Sequence, residues 1–69
     1  MSKIIVIKQY DTFINANNIQ YCNVVEFGVD IIMANNYVIC IPSNNPKKLY
    51  NLIKCFITDN TENYVLEIN

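Results

Sequence analysis

The chain has 69 residues, of which 52% are hydrophobic, and this composition excludes an intrinsically disordered polypeptide. Its formal net charge is −1, and its five cations are all lysines, so the domain lacks the basic excess typical of nucleic-acid-binding proteins. A domain of this length buries only about 60% of its unfolded surface, and small domains commonly rely on a disulfide, a metal or oligomerisation for added stability.

No apolar run approaches the ~20 residues of a membrane-spanning helix, and the first residues lack the apolar segment of a secretory signal peptide. The sequence therefore predicts an intracellular, cytoplasmic protein. Its abundance of isoleucine, asparagine and lysine suggests AT-rich coding, which is common in phages and viruses; for such an origin the predicted location is the host cell.

The cysteines, Cys22, Cys40 and Cys55, are odd in number and form no CxxC pair, and the chain has no histidine to complete a zinc site. We expect three free thiols that pack as small buried hydrophobic side chains. The sequence thus predicts no disulfide, no metal and no cofactor.

The first part of the chain predicts short strands separated by turns. Lys3–Gln9 is rich in β-branched residues and predicts a strand, and Phe13–Ala16 predicts a shorter extended segment. Asn17-Asn18 predicts a turn because asparagine tolerates left-handed backbone. Ile19–Phe27 alternates and predicts a half-buried strand, followed at Gly28 by a turn or bulge. One face of that strand is expected to carry Ile19, Tyr21, Val25 and Phe27.

Two apolar runs, Val29–Ala34 and Tyr37–Ile41, flank Asn35-Asn36 and predict a β-hairpin with a two-residue type I′ turn. This register pairs Ala34 with Tyr37, Met33 with Val38, Ile32 with Ile39, and Ile31 with Cys40. Both hairpin faces are then apolar. One carries Val29, Ile31, Met33, Val38 and Cys40, and the other carries Ile32, Ala34, Tyr37, Ile39 and Ile41.

Pro42 is expected to end the hairpin, because proline has no N–H for the ladder. A helix follows, with Asn44 or Asn45 as its cap and Pro46 in its first position. Its apolar stripe comprises Leu49, Leu52, Ile53, Phe56 and Ile57, flanked by Tyr50. The helix is expected to end at residues 58–60, and Tyr64–Ile68 predicts a last strand.

Together these elements predict a single α+β domain over residues 1–69. It has a small antiparallel sheet of four to six strands, one amphipathic helix on one face, and a C-terminal strand. Because one helix covers one hairpin face, either the N-terminal strands curl over the other face or a second molecule covers it. The second alternative predicts a homodimer or a protein partner at Met33, Tyr37, Val38 and Ile39. Tyr37 is the preferred contact because it offers both apolar area and a hydroxyl.

The composition predicts no enzyme and no catalytic residues. Histidine, the usual group for proton transfer, is absent, and one glycine is too few for a phosphate-binding loop. Ser43 and Cys40 have no neighbouring base to activate a nucleophile. The carboxylates are expected to be solvated at turns or on outward strand positions: Asp11, Glu26, Asp30, Asp59, Glu62 and Glu67.

One basic cluster, Lys47, Lys48 and Lys54, lies on the predicted helix. Such a face suits phosphates or an acidic protein, which makes a nucleic-acid-binding module the alternative function. Without arginine, the bidentate recognition of phosphate or guanine is absent.

The order of elements resembles that of the small FlbD-type flagellar proteins, which run strand, turn, F-x-L-N-A-x-x-I, strand, hairpin and helix. The matching features are Phe13-Ile14-Asn15-Ala16 with Ile19, the hairpin Asp30–Ile39, and the helix after Pro46. The resemblance covers roughly residues 4 to 57. The chain lacks the Asn-Gly hairpin turn and the charged helix typical of that family, and it adds a C-terminal strand. It implies this fold order and a non-catalytic role.

The predicted function is that of a small, non-enzymatic protein-interaction module. It docks on, modulates or inhibits a larger protein complex. For a chain of phage or viral origin, an inhibitor of a host defence complex is an example of such a role.

Overall fold

A computed structural model describes residues 3–59 and 64–69. The strands form two three-stranded sheets, which we call the terminal sheet, in the order β2-β1-β6, and the central sheet, in the order β3-β4-β5. The α+β fold class is confirmed, with the strands divided between two sheets. The elements are β1 (Ile4–Ile7), β2 (Thr12–Asn15), β3 (Ile19–Val25), β4 (Gly28–Met33), β5 (Val38–Pro42), α1 (Pro46–Thr58) and β6 (Val65–Ile68).

In the terminal sheet, β1 is the middle strand, antiparallel to β2 and parallel to β6. Ile5 and Ile7 are fully buried, and the alternate residues of β1 point to the other face. The strand ends earlier than predicted because Lys8–Tyr10 forms a 3₁₀ turn, which Asp11 ends in left-handed backbone with φ 51°. Parallel pairing with β6 requires a long connection, and the intervening chain with its helix provides one.

A β-bulge at Gln20 changes the faces of β3. Ile19 and Tyr21 pair with adjacent residues of β4, so β3 has one extra residue between these pairs. As a result, Ile19 and Cys22 both pack against the core, while Tyr21 is 50% exposed. The predicted common face of Ile19 and Tyr21 is wrong, because strict alternation fails wherever a strand contains an extra residue.

Residues 34–37 connect β4 to β5, and the hydrogen bonding between Met33 and Tyr37 leaves a hairpin loop of three residues, 34–36, instead of the predicted two. The Met33 N–H donates to the Tyr37 oxygen (2.7 Å), and the Asn36 N–H donates to the Met33 oxygen (2.9 Å). Asn36 has left-handed backbone with φ 69°, whereas the φ of Asn35 is not positive. A single left-handed residue after a tight turn is typical of three-residue hairpin loops. The predicted type I′ turn is wrong because it needs positive φ at both asparagines.

The longer loop shifts the hairpin register by one residue. Ile31 pairs with Ile39, and Val29 pairs with Ile41. A one-residue shift turns the side chains of one strand to the opposite face, so the predicted faces are wrong and the outer face is not uniformly apolar. The inner face carries Val29, Ile31, Met33, Ile39 and Ile41, and the outer face carries Asp30, Ile32, Val38 and Cys40.

Gly28 begins β4, immediately after the turn at residues 26–27, and lies between Val25 of β3 and Pro42 of β5. A Cβ atom at this position would lie 2.1 Å from the backbone oxygen of Ile41. The close approach of β5 therefore requires glycine at this position. Backbone conformation is not the reason, because the φ of Gly28 is not positive.

Both ends of α1 have side chains that complete their hydrogen bonding. At the N-terminus, the Asn45 side chain accepts from the Lys48 N–H (3.3 Å), and Pro46 occupies the first turn, as predicted. At the C-terminus, the Lys3 ammonium donates to the backbone oxygens of Phe56 and Asp59. A cation at this end also complements the helix dipole, so Lys3 ties the beginning of the chain to the end of the helix.

One hydrophobic core joins the two sheets and the helix, so the inner face of the hairpin is covered within a single molecule. The helix buries Leu49, Ile53 and Phe56, whereas Leu52 of the predicted stripe is 48% exposed. No polar or charged side chain is buried in the described residues. The other core members are Ile5, Ile7, Ile14 and Ile68 from the terminal sheet, and Val29, Ile31 and Ile41 from the central sheet.

We predict that Phe56→Ala lowers the free energy of unfolding by about 3–5 kcal/mol, because it leaves a cavity between the helix and the sheets. Leu52→Ala is the matched control on the same helix and should have a much smaller effect, since Leu52 is half exposed. Urea denaturation followed by circular dichroism measures both changes. Equal losses for the two variants would mean that the helix is rotated relative to this structure.

The hairpin loop provides a second test. Asn36→Gly should raise the free energy of unfolding by up to about 1 kcal/mol, because glycine adopts left-handed backbone without strain. Asn35→Gly should lower it or leave it unchanged, since that residue has no positive φ. Thermal denaturation of both variants distinguishes the two turns, because a type I′ turn predicts stabilisation by glycine at each position.

Candidate protein-binding site

A groove runs between β2 and the loop end of the β4–β5 hairpin. We call it the hairpin groove. Its walls come from both sheets, so it forms only when the terminal and central sheets come together. The residues that define it are Phe13, Ile14 and Asn15 on β2, and Met33, Tyr37 and Ile39 on the hairpin.

Asparagine side chains and one loop contact position the walls of the groove. Asn15 accepts from the Asn17 N–H (3.0 Å) and caps the 3₁₀ turn Ala16–Asn18 that follows β2. The Ala34 N–H donates to the Asn18 oxygen (2.7 Å), which fastens the hairpin loop to that turn. Inside the loop, the Asn35 side chain accepts from the Tyr37 N–H (3.1 Å). These short polar side chains satisfy backbone N–H groups where the chain reverses.

Two aromatic residues rim the groove and project into solvent. Phe13 is 73% exposed and Tyr37 is 66% exposed. None of the described residues that line the groove carries a charge. Exposed aromatic rings beside a concave apolar surface are typical of the residues that dominate binding energy in protein interfaces.

The groove brings together three of the four predicted interface residues. Tyr37 lies on its rim, while Met33 and Ile39 line it and pack in part against the core. Val38 is 52% exposed but belongs to the outer face of the hairpin. Sequence reasoning did not identify Phe13, although its position supplied a signal: alternation with the buried Ile14 turns a large aromatic residue outward on a short strand.

The helix lysines are exposed, but they do not form one surface. Lys47 and Lys54 are seven residues apart and share a helix face, whereas Lys48 is turned by about 100° toward the side of Leu52. Lys47 and Lys48 lie in the first turn, where a cation is unfavourable with respect to the helix dipole. An ion pair joins the Lys8 ammonium to the Glu67 carboxylate (3.1 Å), and it involves none of these three lysines.

The three thiols are free and differ in their exposure to solvent. Cys22 is half-buried, whereas Cys40 and Cys55 are exposed, so the prediction of buried side chains is wrong for these two because the hairpin and helix turn them outward. Burial raises the pKa of the Cys22 thiol. A hydrogen bond to Asp30 raises the pKa of the Cys40 thiol, with smaller contributions from desolvation and the Asp30 charge. Both thiols are therefore protonated and weakly nucleophilic at neutral pH.

The described residues contain no group of three or more histidine, cysteine, aspartate or glutamate side chains arranged to hold a metal ion. Glu62 lies outside the described residues. In the part of the chain that the structure describes, no helix has the length and apolar character needed to cross a bilayer.

No family model, curated protein sequence or solved structure matches this chain. The similarity to FlbD-type proteins therefore stays a prediction from the order of elements.

We predict that Asp30→Asn lowers the pKa of Cys40 and moves its alkylation profile to lower pH, because the substitution removes the charged acceptor that favours the protonated thiol. The measurement is the rate of iodoacetamide modification against pH in a chain that retains only this cysteine. Asp11→Asn, at an exposed turn, is the control and should leave the profile unchanged. Identical profiles for all three proteins would contradict the Asp30–Cys40 interaction.

Proposed function

We propose that this protein is a non-enzymatic protein-interaction module that docks on a larger protein complex and modulates or inhibits it through the hairpin groove. The observation that carries this proposal is the pair of exposed aromatic residues, Phe13 and Tyr37, on the rim of an uncharged groove. Each ring leaves most of its surface in water in the free protein. A partner that covers both rings therefore gains apolar burial at a single place.

The size of this gain is sufficient for recognition. An aromatic side chain buries about 150–250 Å² when fully covered, and burial contributes roughly 25 cal/mol per Å². Two largely exposed rings thus supply several kcal/mol, on the order of a hot spot in a protein interface. The absence of charge in the groove favours a partner segment that is apolar, with polar atoms for the rim asparagines.

The groove is also preorganised. Its walls are strands with buried neighbours, and its loops are closed by asparagine side chains. Binding therefore orders few side chains, and little of the gain is lost to conformational entropy. The free thiols fit a reducing compartment, so an intracellular location is part of the proposal.

A nucleic acid is the less favoured partner. Lys48 is turned away from Lys47 and Lys54, so three cations do not line up along one helix face. Phosphate recognition by so few lysines gives weak binding, because each neutralised phosphate adds to the affinity through counterion release. We expect no shift of single- or double-stranded DNA or RNA at physiological salt.

The test is affinity capture from the natural cell or host, followed by calorimetric titration of the captured protein. Tyr37→Lys and Phe13→Lys should each weaken binding by at least about 10-fold, because each places a charge where the partner covers an aromatic ring. Val65→Lys, on the 50% exposed Val65 of the terminal sheet, is the matched control and should bind normally.

Circular dichroism of the three variants checks that each is folded. Equal affinity for wild type, Tyr37→Lys and Phe13→Lys would reject the groove as the binding site. A salt-sensitive shift of nucleic acid that is lost in Lys47→Gln/Lys54→Gln would support the alternative function instead.

A further inference from the structure

Among residues 3–59 and 64–69, no strand pairs with the outer edge of β5. In the central sheet, β4 is the described strand to which β5 hydrogen-bonds. Two backbone hydrogen bonds fix which groups face β4: the Met33 N–H donates to the Tyr37 oxygen (2.7 Å), and the Ser43 N–H donates to the Phe27 oxygen (2.8 Å). In an antiparallel ladder, hydrogen-bonded pairs alternate with non-hydrogen-bonded pairs.

It follows that Ile39 and Ile41 direct their N–H and C=O groups toward β4. Val38 and Cys40 direct theirs away from it, to the open edge. At this edge, Val38 and Cys40 therefore each offer one free N–H donor and one free C=O acceptor. Pro42 ends this row, because it has a carbonyl but no N–H.

The other edges have features that discourage pairing. β3 contains the bulge at Gln20 and lies against α1. β6 carries Glu67, which is paired with Lys8. β2 has four residues and is bounded by 3₁₀ turns on both sides. Charges, bulges, prolines and short length protect strand edges. β5 has neither a charge nor a bulge, and its proline, Pro42, lies at its end.

The absence of charge on this edge favours a second copy of this chain as the occupant. Residues 31–46 contain no charged side chain. A two-fold axis places an edge against its own copy, so any charge on β5 would face a like charge, and the uncharged edge removes this repulsion.

We propose that two copies of the protein pair antiparallel along β5, with Ile39 at the two-fold axis, and join their central sheets into one six-stranded sheet. Val38 then faces Cys40 of the partner subunit, and these two equivalent pairs make four backbone hydrogen bonds. A shift that placed Pro42 of the partner subunit opposite Val38 would leave the Val38 carbonyl without a donor, because proline has no N–H. This register is therefore the one that satisfies every free group of both residues.

The side chains agree with this register. On the outer face, Val38 is 52% exposed and would contact the side chain of Cys40 of the partner subunit. On the inner face, the half-buried Ile39 would meet its own symmetry mate at the axis. This dimer goes beyond the proposed docking function, because it forms from the purified chain without any other partner.

The first experiment is sedimentation equilibrium of the purified protein. The wild type should have twice the chain mass of 8.0 kDa at micromolar concentration. Val38→Pro should be monomeric with an unchanged circular dichroism spectrum, because it removes an N–H that points away from β4. Val38→Thr keeps that N–H and should remain dimeric.

The second experiment is independent of a proline substitution. In a background with Cys22→Ala, Cys40→Ser and Cys55→Ser, Ile39→Cys should form a disulfide-linked dimer under mild oxidation. The axis brings the two copies of residue 39 to a Cα separation of about 4.5 Å, within disulfide range. Val65→Cys in the same background is the control and should stay monomeric.

A wild-type protein that is monomeric up to millimolar concentration would overturn the proposal, as would a dimeric Val38→Pro. Equal cross-linking of Ile39→Cys and Val65→Cys would also overturn it. These experiments need no docking partner, so their failure leaves the hairpin groove untouched. Conversely, normal partner binding by Tyr37→Lys would reject the groove and leave the β5 dimer in place.

Discussion

The register of the β4–β5 hairpin controls both the core and the surface of this protein. It depends on a single backbone feature, the left-handed Asn36 that closes a three-residue loop. A loop shorter by one residue would turn the side chains of one strand to the other face. Val29, Ile31 and Ile41, all fully buried, would then no longer share one side of the sheet.

The same register decides what the hairpin presents to its surroundings. It places Tyr37 at the loop end with its ring in solvent, and it directs the free backbone groups of Val38 and Cys40 to the open edge. The two proposed interactions therefore use different groups of the same hairpin. The groove depends on the side chains of Phe13 and Tyr37, and the dimer depends on the backbone of Val38 and Cys40; the Ile39 side chain is common to both, since it lines the groove and lies at the proposed axis.

The interior is aliphatic, and no polar or charged side chain is buried in the described residues. Specific geometry must come from other sources, because apolar contacts alone are non-directional. Here it comes from asparagine side chains at chain reversals, from the Asn45 cap of the helix, and from Lys3 at the helix end. Several of the asparagines thus stabilise turns and the helix cap by accepting hydrogen bonds from backbone N–H groups.

Local patterns in the sequence determined the α+β class and the limits of several elements. Asn45 and Pro46 mark the start of the helix, and the spacing of Leu49, Ile53 and Phe56 identifies its buried face. These signals act within one helical turn or a few residues, so they can be read without knowing the rest of the fold. The exclusion of histidine chemistry is likewise a matter of composition.

Only the tertiary structure decided how the strands combine. The Gln20 bulge, the hairpin register and the parallel pairing of β6 with β1 join residues whose side-chain patterns fit more than one arrangement. In the hairpin, apolar residues occupy both odd and even positions, so alternation could not choose between registers. The hairpin groove could not be predicted for the same reason. Phe13 and Tyr37 lie on the rim of one groove because the two sheets pack together. Local sequence patterns carry no information on that packing.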